Sequence, residues 1–243
     1  MARVFITGST DGLGRTAAVA LLEDGHQVVV HARNDERLPA VLDLMGRGAE
    51  AVLGDISDLD EMRSVAEQVN RLGRMDAVIH NAGVLSGSPV LPVNVVAPYL
   101  LTTLIDHPQR LIYLSSSMHR SGRPHLTGLD WSGHRRTASY SDSKLFVTAL
   151  AAAVARVWPD VFSNAVDPGW VPTRMGGRAA PDDLRLGHVT QTWLATSDDP
   201  NARTSGGYWH HQRRYAPHPS VNDQQFQYLL LDQLGRHTGA RLI

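Results

Sequence analysis

A tyrosine and a lysine four residues apart are the side chains in this sequence best suited to acid–base chemistry. Tyr140 and Lys144 lie at the start of a long apolar stretch that predicts a helix, so both side chains share one helix face. A phenol with an ordinary pKa of about 10 is a poor acid–base catalyst at neutral pH unless a nearby cation favours the phenolate. Lys144 can supply that cation, and the hydroxyl of Ser116 can polarise a carbonyl oxygen. The three residues together indicate proton transfer to or from an oxygen atom.

A glycine-rich stretch near the start of the chain is suited to phosphate binding. It runs from Thr7 to Gly14, after the apolar run Val4 to Ile6 and before a segment with apolar residues at helical spacing. This order predicts a strand, a turn and a helix. Glycines let the backbone approach a ligand closely, and the first N–H groups of a helix attract a phosphate. The residues that we assign to this phosphate-binding turn are Gly8, Ser9, Thr10, Asp11, Gly12, Leu13 and Gly14.

Segments typical of strands and of helices alternate along the whole chain. Such alternation implies right-handed βαβ units and a parallel sheet that is covered by helices on both faces. We therefore predict an α/β fold with one doubly wound, Rossmann-type parallel sheet of about seven strands, forming a single domain over residues 1–243. Short apolar or β-branched runs place the strands near residues 4–6, 27–30, 51–53, 76–80, 110–114, 161–166 and 207–209.

Two segments carry no clear periodicity. Residues 118–138 are polar and rich in Gly, Arg and His, and they predict a long surface excursion. Residues 174–184 form a second irregular region. Long loops inside a domain are usually functional or disordered, and we expect the determinants of substrate choice in these two loops.

Composition and charge exclude several classes of function. The 23 Lys and Arg residues nearly balance 24 Asp and Glu residues, so no overall basic field exists to recruit nucleic acid or an anionic membrane. The absence of cysteine excludes disulfides, thiolate metal sites and cysteine nucleophiles. The chain has 12 histidines, but His134, His210 and His211 lie in predicted loops without a carboxylate at ligand spacing, and we expect no metal. The first strand leaves no room for a signal peptide, and the apolar segment from 145 to 158 is too short for a membrane span. We expect a cytoplasmic protein.

The remaining polar landmarks fall at the predicted ends of strands or at the helix starts beside them. Open α/β sheets bind their ligands at this edge, so the placement is informative. Taken in order, the set resembles the short-chain dehydrogenase/reductase superfamily over essentially the entire chain, most closely the retinol-dehydrogenase and carbonyl-reductase-like branches. The matching pieces are Thr7-Gly8-x-x-x-Gly12-x-Gly14, Asp55, Asn81-Ala82-Gly83, Asn94, the serine run 115–117, Tyr140-x-x-x-Lys144 and Pro168-Gly169-x-x-x-Thr173.

This resemblance implies a strand order of 3-2-1-4-5-6-7 and a catalytic role for four residues. Tyr140 would donate the proton to a carbonyl or accept it from an alcohol. Lys144 would hold the nicotinamide ribose and lower the pKa of the tyrosine, and Asn94 would steady a water that links the lysine to solvent. Ser116 aligns with the family's serine, with its two neighbouring serines as alternates. Asn94 has a second interpretation as the N-cap of its helix, which is compatible with the first.

The resemblance also implies which residues hold the cofactor. The turn would bind the pyrophosphate, and Asp55 and Ile56 would contact the adenine. Asn81, Ala82 and Gly83 would pass beside the adenosine ribose. The nicotinamide end would be bordered by Pro168, Gly169, Val171 and Thr173, together with Tyr140 and Lys144.

The end of the second strand bears on the choice between NAD and NADP. An acidic residue there would pair with the ribose 2′-hydroxyl of NAD and repel a 2′-phosphate. This chain has Ala32 followed by Arg33, and a small residue plus a guanidinium suits the phosphate of NADP. Asp11 argues in the other direction, because many NADP-preferring relatives carry a basic residue at that position of the turn. We favour NADP(H) over NAD(H).

These observations predict an NADP(H)-dependent oxidoreductase that interconverts a carbonyl and an alcohol, with Tyr140 as general acid and base. Its partner would be a small-molecule substrate, without nucleic acid or membrane. Two alternatives stay open: a regulatory protein that senses NADP(H) without turnover, and an epimerase or dehydratase of the same superfamily. The long helix from Tyr140 is an interface in many dimeric or tetrameric relatives, although burial inside the monomer would explain its apolar character equally well.

Overall fold

Parallel strands form a single mixed sheet in this computed structural model, which describes residues 1–242. The sheet has eight strands in the order β3-β2-β1-β4-β5-β6-β7-β8, and only the β7–β8 pair is antiparallel. The predicted order of the first seven strands is therefore confirmed. The strands are β1 (Arg3–Ile6), β2 (Gln27–Ala32), β3 (Glu50–Leu53), β4 (Ala77–His80), β5 (Arg110–Leu114), β6 (Phe162–Asp167), β7 (Tyr208–His210) and β8 (Arg213–Tyr215).

Helices connect the strands and cover both faces of the sheet. The α-helices are α1 (Gly12–Glu23), α2 (Leu42–Met45), α3 (Leu59–Arg71), α4 (Ala97–Leu104), α5 (Tyr140–Val157), α6 (Val189–Thr196) and α7 (Gln224–Thr238). Short 3₁₀ helices span Asp35–Val41, Ser117–Ser121, Leu184–Leu186 and Pro219–Asn222, and a π-helical turn over Pro92–Val96 leads directly into α4.

The strand sequences explain why the sheet lies in the centre. β1, β2 and β4 consist almost wholly of buried residues, as expected for parallel strands that are covered on both faces. Alternate side chains along each strand enter two separate apolar clusters. Phe5 and Val29 belong to the cluster that contains residues of α3, α4, α5 and α7, while Val4, Ile6 and Val28 belong to the cluster that contains residues of α1 and α6.

Helix α5 is fixed at its start by a capping box. The Ser139 hydroxyl accepts from the Asp142 amide, and the Asp142 carboxylate accepts from the Ser139 amide, so two otherwise unpaired N–H groups are satisfied. The body of the helix is buried almost on every side, because α7 and the 3₁₀ helix before it pack against its outer face. Burial within the monomer therefore accounts for the apolar character of α5.

Three parts of the chain differ from the sequence prediction. The sequence pattern predicts a helix over residues 35–45, but this segment is a 3₁₀ helix followed by one α-helical turn, because Pro39 removes a backbone donor inside it. The edge strand β8 was not predicted, since its residues are exposed and show no apolar alternation. The segment 118–138 is not wholly a surface excursion, as Leu126, Trp131 and Ala138 are buried in the core.

Trp131 shows why that loop folds inward. Its indole N–H donates to the Gln233 side chain of α7 at 3.1 Å, and its ring centroid lies 6.1 Å from that of Phe146 in α5. An aromatic ring with a polar edge contributes apolar contact and one hydrogen bond at the same position. By contrast, residues 174–183 form neither helix nor strand, as predicted. Within residues 1–242, no helix is long and apolar enough to cross a membrane.

Candidate active site

A large cleft runs along the edge of the sheet where the parallel strands end. Its volume is about 690 Å³. Because β1, β2, β3, β4, β5 and β6 all point the same way, residues that are distant in sequence border this cleft. The predicted residues that line it are Gly8, Thr10, Asp11, Gly12, Leu13, Arg33, Asp55, Ile56, Asn81, Ala82, Gly83, Tyr140, Lys144, Pro168 and Thr173. The other predicted residues, which lie behind or beside the lining, are Ser9, Gly14, Asn94, Ser116, Gly169 and Val171.

The glycine turn uses its glycines for conformation and for close approach. Gly8 has a φ of +63° and Gly12 a φ of +52°, values that side-chain-bearing residues rarely adopt. Gly14 is helical, but a Cβ there would lie 2.4 Å from the amide nitrogen of the Asn81 side chain. Asp11 begins α1 as its N-cap and accepts from the Gly12 amide at 2.7 Å. Its carboxylate therefore stabilises the positive end of the helix.

Asn81 attaches the turn to the end of β4. Its side-chain amide donates to the carbonyl oxygens of Thr7 at 2.9 Å and Gly8 at 3.1 Å. The Thr7 hydroxyl in turn accepts from the Ala82 amide at 3.0 Å. These hydrogen bonds hold the wall formed by Asn81, Ala82 and Gly83 directly against the turn.

The adenine end of the cleft contains the predicted acidic and basic residues side by side. The Asp55 carboxylate accepts from both the amide and the hydroxyl of Ser57, at 2.9 and 2.7 Å. The Arg33 guanidinium, largely exposed, lies 3.9 Å from the other Asp55 oxygen. Arg37, which no sequence motif singles out, donates to the Thr10 hydroxyl of the turn at 3.3 Å. Two guanidinium groups therefore border this end of the cleft.

Tyr140 and Lys144 lie together at the opposite end. The Lys144 ammonium is 5.4 Å from the centre of the Tyr140 ring and donates to the Leu114 carbonyl of β5 at 2.7 Å. Burial raises the pKa of Tyr140 to about 12, with a further rise from the charge of Asp167, whereas the nearby Ser116 side chain lowers it. Burial lowers the pKa of Lys144 to about 8, against an opposing effect of Asp167. The phenol is thus protonated at neutral pH.

The three serines after β5 have different surroundings. Ser115 is buried, and its hydroxyl pairs with that of Thr148 in α5 at 2.6 Å. Ser117 is exposed. Ser116 is the serine that interacts with the Tyr140 phenol, and its hydroxyl also accepts from the Met118 amide at 3.2 Å. Ser115 also borders the cleft, but Ser116 is the serine whose side chain lowers the pKa of Tyr140.

Asn94 lies inside the π-helical turn that precedes α4. The N-cap of this turn is Leu91, and the N-cap of α4 is Val96. The capping interpretation is therefore wrong. Its side chain makes two hydrogen bonds to the backbone of Val84, accepting from the amide at 2.8 Å and donating to the carbonyl at 3.0 Å. It also donates to the Ser143 hydroxyl at 2.9 Å. Asn94 thus joins the wall after β4 to the first turn of α5.

Asp167, at the end of β6, was missed by the sequence analysis. It is 6% exposed, and its carboxylate accepts from the Gly169 amide at 3.0 Å and from the Tyr208 hydroxyl at 2.9 Å. Its charge favours the protonated forms of both Tyr140 and Lys144. The only sequence signal was its position directly before Pro168 and Gly169.

The segment after β6 closes the nicotinamide end. Val171 is buried, and Thr173 faces the cleft beside Gly12, whose Cβ would lie 3.4 Å from the Thr173 methyl group. Trp170 is 59% exposed, although its indole donates to the Gly176 carbonyl at 2.8 Å. His119 does not line the cleft: it is fully buried, and its ring is tilted by 50° against that of Tyr208, with the centroids 4.5 Å apart. Among the described residues, no group of three or more His, Asp or Glu side chains could hold a metal ion.

Comparison with known proteins identifies the family. The model of the short chain dehydrogenase family matches residues 2–105. A short-chain dehydrogenase of Gibberella zeae is 35% identical, with 100% of this chain and 99% of that protein covered. A protein of Streptomyces sp. (strain C5), named as a daunorubicin C-13 ketoreductase, is 34% identical over 88% of this chain and 84% of its own length. The chain belongs to the short-chain dehydrogenase/reductase family.

Solved structures agree with that assignment at the level of the fold. A crystal structure from Mycobacterium paratuberculosis superposes with a TM-score of 0.83 at 22% identity, covering 100% of this chain and 95% of the other. This short-chain dehydrogenase/reductase is therefore an oxidoreductase of a family whose members act on small molecules, and it has the family's Rossmann-type sheet.

The close packing of Gly14 leads to a prediction. In G14A the added methyl group would meet the Asn81 side chain and lie 2.5 Å from the Gly8 carbonyl oxygen, so the turn must shift. We expect the free energy of unfolding, measured by urea denaturation, to fall by roughly 2 kcal/mol. The matched control is G46A, because Gly46 has a helical φ of −61° and the atoms nearest to an added Cβ would lie 3.5 Å from it. Equal stability of the two variants would contradict the tight packing of the turn.

Proposed function

We propose that this short-chain dehydrogenase/reductase transfers a hydride between NADP(H) and a carbonyl or alcohol substrate, with Tyr140 as the general acid and base. One observation carries the proposal: Tyr140 and Lys144 line one end of the cleft, with Ser116 beside the phenol, and the other end is bordered by the glycine turn and Arg33. A matched acid–base group beside a phosphate-binding turn is what a dinucleotide-dependent redox reaction requires.

The residues present fit a dinucleotide. The turn has no side chain at Gly8, Gly12 or Gly14, and the first N–H groups of α1 are directed to the cleft edge. On the far side, Gly83 leaves space beside Lys144, whose ammonium would lie 3.6 Å from a Cβ at that position. Backbone at both ends can therefore approach a bound molecule closely. The turn would hold the pyrophosphate, Asp55 and Ile56 the adenosine, and Lys144 the nicotinamide ribose.

In the proposed mechanism the protein supplies or accepts the proton, and the cofactor, when bound, supplies or accepts the hydride through its nicotinamide. Tyr140 is protonated over the physiological range, since its pKa is raised to about 12, and so it can donate to the oxygen of a carbonyl. Ser116, which interacts with the same phenol, would donate a second hydrogen bond to that oxygen. In the reverse direction Tyr140 must lose its proton first, and the neighbouring Lys144 cation would stabilise the phenolate.

Asn94 helps to position Tyr140 and Lys144 through hydrogen bonds to neighbouring segments. By joining Val84 to Ser143, it holds the wall after β4 at a set distance from the helix turn that carries both Tyr140 and Lys144. Ser143 extends this connection to Tyr140, because its hydroxyl donates to the Tyr140 carbonyl at 2.7 Å. This position is consistent with the role that the resemblance implies, in which Asn94 steadies a water beside the lysine.

We propose a preference for NADP(H) on the basis of the adenosine end. Arg33 follows directly after β2, and the second guanidinium, that of Arg37, is attached to the turn through Thr10. Asp11 is the opposing charge, but its carboxylate is already engaged by the Gly12 amide and the positive end of α1. Asp55 lies 3.9 Å from Arg33 as a second opposing charge. We propose that the two guanidinium groups outweigh it at a ribose that carries a 2′-phosphate, because that group bears two negative charges.

Replacing the phenol tests the mechanism. In Y140F we expect the turnover number for carbonyl reduction to fall by at least a thousandfold, because the general acid is removed, while the Kd for NADPH stays within about threefold. The control is Y228F, since Tyr228 is 57% exposed on α7 and away from the cleft. A Y140F variant that keeps most of its rate would exclude Tyr140 as the acid. Tight NADPH binding by the wild-type protein, without reduction of any carbonyl, would favour the regulatory alternative.

Replacing Arg33 tests the cofactor preference. In R33A we expect the Kd for NADP⁺ to rise by about tenfold and that for NAD⁺ to change by less than about twofold, because only the 2′-phosphate loses a charged partner. The measurement is isothermal titration calorimetry with both dinucleotides. R213A is the control, since Arg213 is an exposed arginine of the edge strand β8. An equal loss of affinity for both dinucleotides would contradict the assigned role.

A further inference from the structure

We infer that His31 is a positioning residue for the dinucleotide: its neutral imidazole joins the glycine turn to the end of β3, and dinucleotide affinity falls when the ring becomes protonated. This inference rests on the proposed function, because it concerns how the chain holds that cofactor. His31 lies within β2, two residues before Arg33, and it borders the cleft although it is only 3% exposed.

The hydrogen bonds of the ring define its protonation state. Nδ1 lies 3.0 Å from the Gly8 amide nitrogen, and Nε2 lies 2.8 Å from the Gly54 carbonyl oxygen. A backbone N–H can only donate and a carbonyl can only accept, so Nδ1 is the acceptor and Nε2 carries the hydrogen. Both contacts are satisfied only in the neutral ring with the hydrogen on Nε2.

Gly8 and Gly54, the two hydrogen-bond partners of the ring, lie on opposite sides of the end of the cleft that is proposed to hold the adenosine. Gly8 is the first glycine of the phosphate-binding turn, and Gly54 directly precedes Asp55 and Ile56, which border the cleft. The imidazole therefore sets the spacing between the turn and the segment after β3. No hydrogen bond among the described residues joins these two segments directly, so the side chain of His31 is the link between them.

The backbone makes a separate connection that the side chain does not affect. The Ser9 amide donates to the His31 carbonyl at 3.3 Å, and the His31 amide donates to the Ser9 hydroxyl at 2.7 Å. The turn therefore stays attached to β2 when the ring is changed. A substitution at this position removes the link to Gly54 and the partner of the Gly8 amide, while the main attachment remains.

Protonation would put two donors face to face. A hydrogen on Nδ1 would point at the Gly8 N–H across 3.0 Å, so the turn or the ring must move. Burial lowers the pKa of His31, while its hydrogen bond to Gly54 and the charge of Asp55 oppose that shift. The other charged groups around this end are Arg33 after β2, Arg37 in the following 3₁₀ helix, Asp11 in the turn and Glu61 in α3, whose carboxylate accepts from the Asp55 amide at 2.5 Å. The neutral ring is therefore the form at neutral pH, and the link weakens on acidification.

Two substitutions separate the contributions of the ring. In H31N the side-chain oxygen can take the place of Nδ1 and accept from Gly8, but it does not titrate. In H31L an apolar side chain of similar size removes the hydrogen-bond partner of the half-buried Gly8 amide. We measure the Kd for NADP⁺ by isothermal titration calorimetry from about pH 5.5 to about pH 8.5 for the wild type and both variants. NAD⁺ is titrated in parallel, because it lacks the 2′-phosphate that itself titrates in this range.

We expect the Kd of the wild type to rise on acidification more steeply than that of H31N, for both dinucleotides. At about pH 8, H31N should bind within about threefold of the wild type and H31L roughly tenfold more weakly, owing to the unpartnered amide. Parallel pH profiles of the wild type and H31N, or wild-type affinity in H31L, would overturn the inference. Should H31L not fold, as judged by circular dichroism, the comparison of wild type with H31N decides alone.

A second measurement requires no ligand. In ¹⁵N–¹H spectra of the wild type, the Gly8 amide resonance should titrate with pH, and in H31N it should not. If the wild type binds neither NADP⁺ nor NAD⁺, the proposed function fails, and this spectral result still decides whether His31 controls the turn. If the wild type binds both dinucleotides and the Gly8 resonance does not titrate, only the inference about His31 fails.

Discussion

The active-site end of the molecule depends on one buried hydrogen bond, from the Lys144 ammonium to the Leu114 carbonyl. A buried ammonium without a partner would be costly, so the start of α5 must lie over the end of β5. The pairing of Thr148 with Ser115 repeats this attachment one helical turn later. With α5 held at two points, Tyr140 is carried to the strand end where Ser116 lies. The same attachment keeps the Lys144 amine out of solvent, and this burial lowers its pKa.

The other end of the cleft is held by uncharged bridges instead. Asn81 joins the turn to β4, and His31 joins it to the segment after β3. Both side chains satisfy backbone groups of glycine residues, which cannot supply side-chain contacts of their own. The proposed catalytic end of the cleft is thus organised by a buried cation, and the proposed cofactor end by neutral polar side chains. Only Arg33 and Arg37 add positive charge there, near the surface.

The features that could be predicted from sequence are those with local signals. The parallel sheet, the glycine turn and the alignment of the Tyr140–Lys144 pair follow from short motifs and from the alternation of strands with helices, and the strand order follows from the family resemblance that these motifs carry. The residues that were missed act through partners far away in the chain. His31 bonds to Gly8 and Gly54, and Asp167 bonds to Tyr208, 41 residues later. A single sequence contains no spacing that reports such pairs.

Loops were the second source of error, for a different reason. Composition suggested that residues 118–138 lie on the surface, but a few apolar side chains such as Trp131 are enough to bury parts of a polar segment. The capping role predicted for Asn94 was wrong, because the helix begins before this residue. In both cases tertiary contacts with α5 or α7 decide the local structure.

The central claim, that this cleft transfers a hydride between a nicotinamide and a carbonyl carbon, is tested most directly by isotope transfer. The protein is incubated with NADPH deuterated at C4 of the nicotinamide and with a panel of ketones and aldehydes, and the alcohols formed are analysed by mass spectrometry and NMR. We expect one deuterium per product molecule, bound to the carbinol carbon and delivered from one face of the nicotinamide only. Bound NADPH that passes no deuterium to any carbonyl, or deuterium found at another carbon, would contradict the claim.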